Sequence, residues 1–73
     1  MTQTESDILR DAFLFLKAHG DPPPTGGTAS EAFWKRTADD LTAAGEKWDN
    51  HPLALEVFPA VYGYIETKQK MGA

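Results

Sequence analysis

The stretch LALEVFPAVYGYI, residues 53–65, decides the fold. Its wealth of Val, Phe and Tyr invites a β-strand, the state those residues favour. The spacing is helical instead. Ala54, Val57, Phe58, Val61, Tyr62 and Ile65 recur every three to four positions, which places them on one stripe at about 100° per residue. Leu53, Ala60 and Tyr64 widen that stripe. The first half is therefore apolar nearly all round, and this helix should be the most buried of the chain. Pro52 fits a first turn, where a missing N–H does no harm, with Asn50 before it as N-cap. Lys68 and Lys70 close the segment as the helix dipole favours. Pro59 lies inside the pattern, where it removes one helix bond and crowds the preceding turn, so a kink or a local break is expected there. The predicted helix covers residues 51–70.

Upstream, a second amphipathic segment covers residues 29–48. Thr28 and Glu31 have the spacing of a capping box. Phe33, Trp34, Ala38, Leu41 and Ala44 share a face, and Trp48 extends it by a turn. Gly45 leaves two ends open, one near Ala44 and one near Trp48. Glu31–Lys35, Lys35–Asp39 and Arg36–Asp40 are opposite charges four residues apart, expected to pair on the wet side. Before this segment, residues 20–27 read GDPPPTGG. Three prolines withhold three backbone donors and the glycines permit a sharp turn, so this is a connector.

The first segment covers residues 5–18. Thr4 and Asp7 suggest a capping box, and Gly20 a C-terminal stop. Ile8, Leu9, Ala12, Phe13, Phe15 and Leu16 fall on one broad face, with Leu14 outside it. Three such segments joined by two short breaks predict a single all-α domain, a three-helix bundle.

Size and composition set bounds on function. Seventy-three residues suffice for one small core, and four Phe, two Trp and two Tyr supply much buried area per residue. With no cysteine there is neither a disulfide scaffold nor a thiolate metal site. The polar start lacks the apolar stretch of a signal peptide, and no window has the apolar length of a membrane helix, so a cytoplasmic protein with no membrane contact is expected. A net charge of −4 argues against direct nucleic-acid binding, which needs a basic surface.

The candidate chemistry is thin. His19, Asp21, Asp49 and His51 lie at segment ends, yet the two histidines lack the spacing of a zinc motif, and cap roles explain them. His19 can serve free carbonyls at a helix end. Ser6 and Ser30 sit near helix starts and belong to no nucleophile motif. Gly26-Gly27-Thr28 precedes a helix but lacks the P-loop spacing and lysine. No catalytic, cofactor or metal residues are assigned, and the chain is read as a non-enzyme.

The surplus of aromatic and aliphatic residues on the second and third segments suggests contact with a protein partner or a second copy. The residues expected to carry it are Trp34, Trp48, Leu53, Leu55, Tyr62 and Tyr64. The alternative is a small acidic inhibitor of a nucleic-acid enzyme, of the kind phages encode. Interleaved acids and bases weaken that reading, because a nucleic-acid mimic needs an extended face of one sign.

The residues Ala32-Phe33-Trp34 through Trp48, then Asn50-His51-Pro52-Leu53-Ala54, then Ala60 through Glu66, resemble small helical proteins without assigned activity from phages and mobile elements of gut Firmicutes. The resemblance covers about two-thirds of the chain. It implies an accessory or regulatory protein that acts by contact.

Overall fold

Helix α1 begins two residues earlier than the sequence reading places it. A computed structural model describes residues 1–72, with α1 at Gln3–His19, α2 at Gly27–Lys47 and α3 at Pro52–Lys70. Thr2, not Thr4, caps α1. Its hydroxyl accepts from the Glu5 amide at 3.1 Å, and its own amide donates to Glu5 Oε1 at 2.6 Å. Glu5 is one methylene longer than Asp7 and reaches back where Asp7 does not. Asp7 instead accepts from Gln3 and Arg10.

The capping box expected at Thr28 does not form. Gly26 is the N-cap at φ 88°, and no side chain caps the end. Because α2 starts at Gly27, Thr28 already lies inside the first turn and its hydroxyl is out of register. At the other end α2 runs through Gly45 to Lys47. The Asn50 amide donates to the Gly45 carbonyl and the Asp49 amide to the Glu46 carbonyl, at 3.0 and 3.1 Å. Those two bonds form a Schellman motif, with Asp49 and Asn50 both left-handed at φ 52° and 56°. Asn50 therefore finishes α2 and does not cap α3. His51 caps α3, its Nδ1 accepting from the Leu53 amide at 3.1 Å, with Pro52 as first helical residue.

α3 continues unbroken through Pro59, so the local break does not occur. The carbonyl that Pro59 leaves without a donor belongs to Leu55. Both residues are exposed, so that side of the helix faces water.

The helices run up, down and up. Lys68 donates to the Gly20 carbonyl at 2.6 Å, which sets the end of α1 beside the end of α3. Trp48 Nε1 donates to Asp11 at 3.1 Å, so the turn before α3 sits near the first half of α1. α2 returns between them, with Trp34 donating to Gln69 at 3.1 Å. Ile8, Ala12 and Phe15 of α1 meet Ala54, Phe58 and Ile65 of α3 in the core. The Phe15 and Phe58 rings meet edge to face, 6.0 Å apart. Leu16, Phe33, Trp34, Leu41 and Val61 pack around them, half-buried. Leu9 and Phe13, expected inside, are exposed because the buried stripe of α1 is only as wide as one neighbouring helix requires.

Both α1 and α2 pack on α3, whereas the backbones of α1 and α2 stand further apart and are joined by long side chains. The molecule is accordingly long and thin, 41 × 20 × 16 Å. No helix among the described residues is long and apolar enough to cross a membrane.

Candidate interaction surface

The spacing of α1 and α2 leaves a trough along their seam. It consists of two hollows of about 370 and 550 Å³ that share Ala18, His19 and Asp40 as a common partition. Phe15 and Phe58 line the first and Phe33 lines the second. Much of the α2 wall is alanine: Ala29 and Ala32 on one side of the partition, Ala43 and Ala44 on the other. Leu14, which the helical pattern of α1 leaves outside the core, forms part of the opposite rim and is half-exposed.

The partition is a polar strut. His19 is buried, its ring 4.8 Å from that of Phe15. A carboxylate can only accept, so Nε2 of His19 carries the hydrogen donated to Asp40 Oδ2 at 2.8 Å. Thr37, fully buried, places its hydroxyl 3.3 Å from Nδ1 while donating to the Phe33 carbonyl at 2.8 Å. His19 therefore serves side chains of α2, not the free carbonyls of its own helix end. The carbonyl of Gly20 is served by Lys68 instead. At the far end of the trough, Asp11 Oδ2 accepts from Lys47 at 2.6 Å and from Trp48 Nε1.

A second polar knot ties α2 to α3 and the connector. Gln69 is buried. Its amide nitrogen donates to the Pro23 carbonyl at 2.8 Å and to Ser30 Oγ at 3.0 Å, and its oxygen accepts from Trp34. Ser30 thus has a packing role. Every buried side-chain polar atom among the described residues has a partner.

The residues read from sequence as a partner surface do not form one patch. Trp34, Trp48, Leu53 and Tyr62 are half-buried. Three of them pack on the core, while the Tyr62 ring lies 5.2 Å from that of Trp34. Leu55 and Tyr64 are exposed, 52% and 54%, but nine positions apart on one helix they point to opposite sides. Nor are His19 and Asp21 brought together with Asp49 and His51, which lie at the opposite end of the bundle. No group of three or more potential metal-ligating side chains occurs among the described residues. The trough itself escaped sequence reading. Alanines along α2 permit close approach, and a sequence does not say to what.

No protein-family model matches the chain, and no similar curated protein or solved structure was found.

Proposed function

We propose that this protein is a non-enzymatic contact module, an accessory or regulatory protein that acts by binding another polypeptide through the α1–α2 trough. The observation that carries this reading is the seam itself. Two helices that flank a third leave two open hollows along their seam, lined in part by Phe15, Phe58 and Phe33, with the His19–Asp40 and Lys47–Asp11 contacts bridging it. A chain of this size has little core to spare, so an unclosed seam is a costly feature for a domain that acts alone. The chemistry of the seam points the same way. Both ring nitrogens of His19 face partners within the fold, so the ring works as a strut.

The test is site-specific photo-crosslinking in the producing cell. A photoreactive side chain replaces Ala43, exposed on the trough wall, and in a control replaces Thr42, one position round the helix. Discrete crosslinked products from position 43 and none from position 42 are expected. Equal products from both, or none from either, would sink the reading.

A further inference from the structure

We infer that the occupant of the trough is a second copy of this chain, docked so that its α2 lies antiparallel against the first α2 about a two-fold axis near Ala38. This rests on the contact reading above and names its partner.

The first observation is an exposed charge on the trough wall that makes no ion pair within the fold. Arg36 lines the trough and is exposed, and among the described residues it makes no ion pair. Asp40, one turn later, uses only Oδ2 for His19. Its Oδ1 is left to accept from elsewhere. A two-fold axis at Ala38 sets Arg36 of each copy opposite Asp40 of the other, because both stand two residues from the axis. The contact forms twice by symmetry.

The second observation is the pattern around those charges. The same two-fold rotation also pairs Ala32 with Ala44 and Phe33 with Ala43, all of them trough-lining. Small side chains fall opposite small ones or beside an aromatic, so the two backbones can approach with charges facing in opposite-sign pairs. A parallel arrangement would set Arg36 against Arg36 and Asp40 against Asp40. The chemistry of the wall therefore selects one direction.

The third observation is area. A compact monomer of 8.0 kDa exposes about 4,450 Å², against 4944 Å² here. Its radius of gyration is 12.8 Å, where about 11 Å is usual for this length. The excess, about 500 Å² per chain, comes from the elongated shape, which leaves the exposed flank of α2 free to take part in a two-fold contact.

Sedimentation equilibrium on the full chain, up to about 0.5 mM, a range that reaches weak association, tests this. A mass near twice 8.0 kDa is expected at the upper end. Arg36→Asp and Asp40→Arg should each weaken association roughly ten-fold or more, since each homodimer then carries like-charge contacts. An equimolar mixture of the two should regain the doubled mass, because each variant supplies what the other repels. Asp40→Arg also removes the acceptor of His19, so circular dichroism must show that it folds. If it does not, Ala32→Arg, at a position exposed in one chain, must give the same loss. A wild-type chain that stays at single mass, or an Arg36→Asp chain that associates like wild type, overturns the inference. If the chain stays single while position 43 still crosslinks to another protein, the second-copy assignment fails and the contact reading stands. If the crosslinks vanish too, both fail.

Discussion

Asp40 accepts the Nε2 hydrogen of His19 across the seam, although Arg36 stands one turn away on its own helix. The three ion pairs expected along α2 are all absent among the described residues. An exposed pair of flexible side chains contributes at most about 1 kcal/mol and loses rotamer freedom to do so. A buried imidazole packed against Phe15 is already ordered by its neighbours, and leaving its N–H without an acceptor costs more than an exposed pair returns.

His19→Ala should accordingly destabilise the fold by about 2–3 kcal/mol, through the lost bond and the lost contact with Phe15. Asp40→Asn keeps an acceptor oxygen and should cost under about 1 kcal/mol. Urea unfolding of both variants checks the order. Equal losses would mean that the contact needs the full carboxylate charge and that an amide oxygen does not replace it.

Gln69→Leu should be among the most damaging single changes. It is close in size but withdraws partners from Trp34, Pro23 and Ser30 together. Leaving these groups without partners costs about 2–4 kcal/mol. Thermal unfolding followed by circular dichroism measures it, and a loss below about 1 kcal/mol would show that water replaces the amide.

Two changes near the α2–α3 turn should stabilise. Gly45 is inside a helix, and a Cβ there would find only Asn50 Oδ1, at 3.7 Å, an ordinary contact. Gly45→Ala should gain about 0.5–1 kcal/mol. Asp49 holds a left-handed backbone at φ 52°, which glycine adopts without strain. Asp49→Gly should gain a similar amount, about 0.5–1 kcal/mol. The double variant, at sites close enough to couple, is best read as a cycle in guanidinium chloride.

Gly20→Ala should act in the opposite direction. A Cβ at Gly20 would run into the Leu16 carbonyl oxygen, backbone that cannot swing aside. The end of α1 must then shift, disturbing the Gly20 carbonyl that Lys68 holds. A loss of about 1–3 kcal/mol is expected, read as a lower melting temperature.

The three helices were legible because Ile8, Ala12, Phe15, Ala54, Phe58 and Ile65 repeat with the helical period, and that period survives any local detail. The ends were less legible. Thr2 and Thr4 both head a plausible box, and only the reach of Glu5 separates them. Asn50 suits an N-cap and a left-handed C-terminal residue equally, and the chain uses it as the latter. The strut and the Gln69 knot join residues 21 and 46 positions apart, respectively His19–Asp40 and Pro23–Gln69. No local pattern encodes such a contact. The trough was illegible for the same reason, since an amphipathic stripe shows which face is buried and not whether two neighbours meet.

The two indoles lie at opposite ends of the molecule in unlike surroundings. Trp34 sits against Phe33 and Tyr62, while Trp48 hangs beside the Lys47 ammonium and the Asp11 carboxylate. Intrinsic fluorescence therefore reports two regions separately. Trp34→Phe and Trp48→Phe each silence one lamp, and the survivor reveals whether the bundle frays from one tip first or melts as a unit.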